Sequence, residues 1–294
     1  MTFLSGFIAI VGPPNVGKST LLNRILGKKI AIVSPKPQTT RNRITGIYHE
    51  EGCQMVFMDT PGIHRTQTPL HKSMVNSAQS AFKEVDLLVL MIEMLHPQAP
   101  EIPMILSSIR KSKKPSVLVI NKIDKGPKEK LLPIIAAYNE IRSFKSIIPI
   151  SALTGDGVES LLQELKSMLR EGPAFFPEDV QTDQSESFLI SEMIREKIFL
   201  HTRQELPYSS AVTVERLEEL PQKNLVSISA RIHVETESQK GILIGQGGKM
   251  IKKIGQAARE DLESFFGNRV FVELLVRVDK NWSKDPRTLR RLGY

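Results

Sequence analysis

Along the first half of the chain, apolar runs of strand length alternate with amphipathic stretches of helical length. Gly6 to Val11 (GFIAIV) reads as a buried strand. Arg43 to His49, Gln54 to Asp59, Asp86 to Glu93 (DLLVLMIE), Ser116 to Asn121 (SVLVIN) and the short Ile147 to Ile150 read as five more. A helical pattern, TLLNRILG, follows the first strand, and Pro69 to Phe82, Glu101 to Arg110, Lys128 to Ile141 and Gly157 to Leu169 supply the others. Strands that are apolar throughout are covered on both faces, so this order predicts an α/β fold with a mostly parallel sheet between helices. The pattern breaks at Glu171 to Ser187 (EGPAFFPEDVQTDQSES), which is proline-rich, acidic and aperiodic. Beyond it come a helix (Ser187 to Gln204), strands near Ala211 to Leu217 and Val226 to Val234, the stretch GILIGQGGKMIKKIGQAAREDLESFF, and a last strand, Val270 to Val278. We expect an α/β domain over residues 1–170, a linker over 171–186 and an α+β domain over 187–294 that ends in a basic tail.

With 294 residues, 40% of them hydrophobic, there is material for two cores. No apolar run approaches the ~20 residues that span a bilayer. Met1 to Ile10 lacks a basic leading segment and a cleavage site, so it reads as a core strand and not as a signal peptide. The single cysteine, Cys53, excludes an internal disulfide framework and a cysteine-based zinc site. A cytoplasmic protein is expected. The net charge of +8 points to a polyanionic partner. Residues 1–172 carry all of it, with 22 Lys+Arg against 14 Asp+Glu, while residues 173–294 hold 18 of each. The second half nonetheless contains two basic runs. Lys240 to Arg259 has five bases (Lys240, Lys249, Lys252, Lys253, Arg259) and no acid, and Lys280 to Arg291 has five bases and one acid, Asp285. A local basic stripe on a neutral domain is a nucleic-acid signal, although a solvated helix face gives the same pattern.

Gly12-Pro13-Pro14-Asn15-Val16-Gly17-Lys18-Ser19 fits G-x-x-x-x-G-K-[ST] between a strand and a helix that begins near Thr20. Glycines let such a loop curl so that its N–H groups point at phosphate oxygens, and the helix N-terminus adds positive potential. Lys18 would reach the β/γ-phosphates and Ser19 would ligate Mg²⁺. Asp59-Thr60-Pro61-Gly62 ends another strand. There Asp59 would hold the metal through water and the Gly62 N–H would meet the γ-phosphate. Asn121-Lys122-Ile123-Asp124 ends a third. Asp124 can accept from guanine N1–H and its 2-amine, a donor pair that adenine lacks. Asn121 can touch the base edge and tether the phosphate loop, and Lys122 can lie over the ring. Ser151-Ala152-Leu153 follows the sixth strand, with the Ala152 N–H placed for guanine O6. Four motifs in this order, each at a strand end, specify GTP or GDP.

On these motifs, residues 6–170 resemble the translation-factor-like family of small GTPases. Pro37-Gln38-Thr39-Thr40-Arg41 resembles that family's first switch loop, whose threonine ligates Mg²⁺ when the γ-phosphate is present. Thr40 is the first choice for that threonine and Thr39 the second. The resemblance implies a catalytic set of Lys18, Thr40 and Gly62, and Mg²⁺ held by Ser19, Thr40 and Asp59. Ile63 stands where many small GTPases carry a water-orienting glutamine. It marks the branch with a hydrophobic residue there, some members of which use a phosphate-loop asparagine, here Asn15, to help bind K⁺. Slow intrinsic hydrolysis, stimulated by K⁺ or a partner, is therefore expected. His64 and Arg65 are read as switch-loop residues.

Ile244-Gly245-Gln246-Gly247-Gly248 carries a G-x-x-G between helical stretches, with Lys249, Lys252 and Lys253 beside it. Tight glycines allow close approach of a sugar–phosphate backbone. The helix–strand–strand–helix–helix–strand order resembles a type II KH domain, which binds single-stranded RNA. Together the two halves resemble the Era family over essentially the whole chain. That resemblance implies binding to 16S rRNA near its 3′ end, a role in 30S ribosomal subunit assembly, no DNA partner, and a peripheral fraction at the inner face of the cell membrane. Trp282 either stacks on a base or packs in the domain. An RNA-binding protein with a merely structural guanine-nucleotide site is the alternative function. A tRNA-modifying or membrane-transport GTPase fits the first domain but not a C-terminal KH domain.

Overall fold

The computed structural model describes residues 2–36, 39–60, 82, 84–141 and 144–292. The helix expected over Pro69 to Phe82 lies almost wholly outside them. Of the described residues, those within Met1–Ala31, Thr40–Thr66 and Ser73–Asp183 form one compact unit. Those within Ile32–Thr39 and Gln184–Tyr294 form a second.

The first unit is built on β1 (Leu4–Val11), β2 (Ile44–Glu50), β3 (Cys53–Asp59), β4 (Leu87–Glu93), β5 (Ser116–Asn121) and β6 (Ile147–Pro149), in the order β2-β3-β1-β4-β5-β6. Only β2 runs antiparallel along this path. Among the described residues its helices are α1 (Lys18–Leu26), α2 (Ile102–Ser112), α3 (Leu131–Ile141) and α4 (Val158–Ser167). Alternation within β1 explains the layering. Ala9 and Val11 join a cluster with Leu88, Leu90, Ile105, Ile109, Leu118 and Tyr138, so that face carries α2 and α3. α1 lies against β2 and β3, where Gly46 leaves space for Leu22 and Leu26; a Cβ there would come within 2.7 Å of both. The helix expected from Lys128 opens as a 3₁₀ turn and becomes α-helical at Leu131.

Residues 171–183, expected within a linker, are laced onto this unit. A two-residue strand, β7 (Arg170–Glu171), pairs antiparallel with β1. Gln54 Oε1 accepts from Phe175 N at 2.7 Å and Phe176 N at 3.1 Å, while Gln54 Nε2 donates to Phe176 O at 2.8 Å. Ile47 N then donates to Gln181 O at 2.8 Å, and Thr182 Oγ1 to Thr45 O at 2.6 Å. The strap thus satisfies the free edge of β2.

The second unit packs α5 (Glu186–His201), α6 (Glu237–Ile244) and α7 (Lys249–Phe266) on a sheet ordered β10-β9-β8. The strands are β8 (Ala211–Leu220), β9 (Leu225–Val234) and β10 (Arg269–Val278), with β10 parallel and β8 antiparallel to β9. Val226, Ile228, Ala230 and Ile232 alternate along β9 into a core with Ile190, Ile194, Ile254, Ala258 and Leu262. Ser185 caps α5 by accepting from Phe188 N at 3.3 Å. The tail is not loose. Asp285 caps α8 (Pro286–Arg291), accepting from Thr288 N at 3.0 Å. Trp282 is 1% exposed and its Nε1 donates to Ser209 O at 3.0 Å, which assigns it to packing and not to base stacking.

Candidate functional site

The loop between β1 and α1 has the geometry a phosphate cradle needs. Gly17 caps α1 at φ 104°, and a Cβ there would lie 2.4 Å from Asn121 Nδ2. A Cβ on Gly12 would lie 2.5 Å from Met91 O. Both positions therefore admit glycine alone, the first for conformation as well as space. Asn15 is exposed with φ 59°, Pro13 and Val16 are buried, and Pro14 and Thr20 are half-buried. Lys18 is buried, and its Nζ donates to Gly12 O at 3.1 Å and Pro13 O at 3.0 Å. Burial pulls its ammonium down to about 8, against the attraction of Asp59 and Glu101.

Ser19, Thr40 and Asp59, distant in sequence, meet beside that loop. Ser19 Oγ donates to Asp59 Oδ2 at 2.6 Å, and the Ser19 and Thr40 hydroxyls lie 2.9 Å apart. Thr40 Oγ1 also reaches Asp59 Oδ2 at 3.5 Å. Asp59 is fully buried, and burial pushes its carboxyl up to about 6, against Lys18 and the Ser19 and Thr40 hydrogen bonds. Its Oδ1 has no hydrogen-bond partner among the described residues. A buried carboxylate with one oxygen on two hydroxyls and the other unmatched suits a hard, oxygen-seeking cation, so the residues fit Mg²⁺. Thr39 is not part of this group; its hydroxyl donates to Lys36 O at 2.7 Å.

The base side is knitted together by Asn121. Its Nδ2 donates to Val16 O at 2.7 Å and its Oδ1 accepts from Ala152 N at 2.9 Å. It thus ties the phosphate loop to the Ser151-Ala152-Leu153 turn, a second link beyond the expected loop tether. The Ala152 N–H, expected on guanine O6, is engaged by Asn121 in this structure. Asp124 is exposed and accepts from Ser151 Oγ at 2.6 Å. Lys122 pairs with Glu93 at 2.6 Å. Leu153 is 64% exposed. Two residues of these motifs are held inside the fold. Thr60 is fully buried with its hydroxyl on Ile10 O at 2.9 Å, and Ile123 packs in the core. Sequence reasoning missed Arg24, whose Nε donates to Ala152 O at 3.4 Å and whose Nη2 donates to Leu153 O. No motif marks it; only the fold brings it to that turn. Pro37, Gln38, Pro61, Gly62, Ile63, His64 and Arg65 lie outside the described residues.

In the second unit, Gly245, Gly247 and Gly248 all have positive φ (70°, 59° and 76°). A Cβ on Gly245 would meet Met250 Cβ at 2.8 Å, whereas Gly247 and Gly248 face open space. The loop is accessible: Gln246 and Gly247 are exposed, Gly245, Gly248 and Ile244 half-buried, and Lys249, Lys252 and Lys253 exposed. Beside it, α7 and β10 enclose a groove of about 590 Å³ lined by Ile251, Lys252, Gly255, Arg259, Phe271 and others. Phe271, 56% exposed, was not anticipated. The alternation of VFVELLVRV puts it on the outer face of β10, and that was the available signal.

Residues 7–122 match the family described as a 50S ribosome-binding GTPase, and residues 205–283 match the KH domain. The chain is 55% identical over 292 residues to the GTPase Era of Syntrophus aciditrophicus, covering 99% of this chain and 95% of that protein. It is 53% identical to the GTPase Era of Geotalea uraniireducens, covering 99% and 98%. Two solved structures superpose over 99% of both chains at 39% identity. One is an Aquifex aeolicus Era variant bound to GDP·AlF₄⁻, with a TM-score of 0.96. The other is an Era in complex with MgGDPNP and nucleotides 1506–1542 of 16S ribosomal RNA, with a TM-score of 0.95.

Proposed function

This chain belongs to the Era family of GTPases, and we propose that it acts as a GTP-dependent switch that grips 16S rRNA near its 3′ end and assists assembly of the 30S subunit. The division of labour we infer gives guanine nucleotide to residues 1–170 and RNA to residues 187–294. The observation that carries the switch reading is the meeting of Ser19 and Thr40 on one oxygen of the buried Asp59 carboxylate, whose other oxygen is unmatched among the described residues. When bound, Mg²⁺ would neutralise charge between the β- and γ-phosphates. Thr40 arrives from the first switch loop, so its place in the group depends on that loop. Lys18 is poised to exchange two backbone carbonyls for phosphate oxygens. On the RNA side, the open glycine loop receives the backbone and the groove between α7 and β10 offers Phe271 as a stacking surface beside Lys252 and Arg259.

The test is RNA affinity measured with a GTP analogue, with GDP and without nucleotide, on the wild type and on Gly248→Asp. Gly248 has φ 76° and open space around its Cβ position. Aspartate tolerates that conformation better than most side chains, so the variant places a negative charge in the phosphate path at little cost to the fold. We expect nucleotide-dependent RNA affinity in the wild type and weak RNA binding with unaltered GDP affinity in Gly248→Asp. Indifference to nucleotide would favour a structural nucleotide site instead, and unchanged RNA affinity in Gly248→Asp would remove the loop from the interface.

We further propose that K⁺, aided by Asn15, supports hydrolysis in place of a catalytic glutamine. Turnover should be faster in K⁺ than in Na⁺; equal rates, with and without RNA, would overturn this. Among the described residues no helix is long and apolar enough to cross a membrane. We place the protein in the cytoplasm, with any membrane fraction peripheral and carried by its basic surface.

A further inference from the structure

The turn after β6 is closed partly on itself. Ser151 N donates to Asp156 O at 2.9 Å, Gly155 N donates to Ser151 O at 2.8 Å, and Ser151 Oγ accepts from Thr154 N at 3.2 Å. The next two carbonyls, of Ala152 and Leu153, are met by helix α1, which belongs to the same compact unit. Arg24 Nε donates to Ala152 O at 3.4 Å, and Arg24 Nη2 donates to Leu153 O. The side chain lies across the turn. A Cβ on Gly155, whose φ of 95° favours glycine, would sit 3.7 Å from Arg24 Cδ and 3.9 Å from Arg24 Nε. Arg24 is exposed, so its charge stays hydrated while its stem and two donors engage the turn. Arginine suits the task because Nε and Nη2 share one planar fork and take two neighbouring acceptors together. The same short helix begins with Lys18 and Ser19, about 9 Å along its axis from Arg24. It therefore touches the phosphate loop at one end and the base turn near the other.

The Ala152 N–H donates to Asn121 Oδ1 at 2.9 Å. For guanine O6 to share that proton, the N–H must point between two acceptors in a three-centre bond. Such a bond weakens steeply as the donor turns away, and the direction of this N–H follows the orientation of the turn. We propose that Arg24 is a positioning residue for guanine: by holding the Ala152 and Leu153 carbonyls to α1, it fixes the turn so that the Ala152 N–H reaches O6 as well as Asn121. This rests on the reading that the Ala152 N–H meets guanine O6.

The test uses the full chain with Mg²⁺ and compares GDP with 6-thio-GDP by calorimetry near neutral pH. The thio analogue keeps N1–H, the 2-amine and both phosphates, and replaces O6 with sulfur, a weak acceptor. Arg24→Met keeps the helix propensity and the apolar stem but loses both donors. Arg24→Lys keeps the charge and loses the fork. Wild type should prefer GDP. In Arg24→Met, GDP affinity should fall about fivefold, the weight of one net hydrogen bond, and 6-thio-GDP affinity by less than about twofold, so the preference shrinks. Arg24→Lys should restore part of it. Single-turnover hydrolysis at saturating GTP should stay within about twofold of wild type, because Lys18, Ser19, Thr40 and Asp59 are untouched. A GDP preference kept intact in Arg24→Met, or an equal loss for both nucleotides, would overturn the role of Arg24 alone. Equal affinities of the wild type for GDP and 6-thio-GDP would overturn the reading of Ala152 and O6 itself, and the proposal with it.

Discussion

Lys18→Ala should reduce affinity for both GTP and GDP by a factor of about 10³, as measured by calorimetry with Mg²⁺ present. Lys18 is buried at the base of the loop with its ammonium turned onto Gly12 O and Pro13 O. A phosphate would receive that charge with little added desolvation, because burial has already stripped the water. Each charge-assisted hydrogen bond from such a group is worth about 1.5–3 kcal/mol, and two of them account for the factor. The cavity left by alanine also strands two carbonyls and leaves Asp59 without its nearest cation. The GDP-free protein should nevertheless remain folded. Burial holds the Lys18 ammonium near 8, below its ordinary value, so below about pH 8 the charged form opposes folding, and removing it relieves that cost. Thermal unfolding separates these effects. Saturating GDP at about 100 times Kd stabilises the wild type by about 2.7 kcal/mol and should do nothing for the variant. RNA binding by Lys18→Ala without nucleotide should match wild type, and a parallel loss there would point to unfolding and not to a phosphate contact.

Most of the nucleotide site could be read from the chain because each motif sits where an apolar strand stops, and strand ends converge on one edge of a parallel sheet. Gly12 to Ser19, Asp59, Asn121 and Ser151 needed only that rule. What escaped was held by bonds between distant residues with no local signature. The Phe175 to Thr182 strap looks like a linker because its composition is that of one, yet Gln54 and the edge of β2 supply its partners. Thr60 and Ile123 lie inside matching motifs, and a motif does not reveal which of its side chains turn inward. Arg195 reads as an ordinary helix residue, since its distant acceptor, the Thr39 carbonyl, lies 156 positions away. The helix over Pro286–Arg291 carries a local start signal, an aspartate before a proline, but the five bases around it fit a solvated basic tail equally well.

Asp124→Asn should exchange guanosine for xanthosine specificity. The carboxylate of Asp124 is exposed at the end of β5, next to the turn that Asn121 ties to the phosphate loop. Guanine offers it two donors, N1–H and the 2-amine; xanthine keeps N1–H but carries an oxygen at position 2. In this structure Ser151 Oγ donates to Asp124 Oδ1 at 2.6 Å and accepts from Thr154 N at 3.2 Å. The serine hydroxyl therefore has its proton committed outward, towards the side chain at position 124. In the asparagine variant that proton selects the amide oxygen as its partner, which leaves Nδ2 in place of the second carboxylate oxygen. A donor then faces the 2-position, repelling the guanine amine and welcoming the xanthine oxygen. Sites built to match hydrogen-bonding groups discriminate by about 10⁴–10⁵, so the ratio of GTP to XTP affinity should invert across several orders of magnitude. Phosphate contacts are untouched, so XTP should support hydrolysis in the variant at a rate near that of GTP in the wild type. Weak binding of both nucleotides by a folded Asp124→Asn protein would mean that Asp124 braces Ser151 and the turn and does not read the base. Adding Ser151→Ala to the variant frees the amide to flip, and the two specificities should then draw closer together.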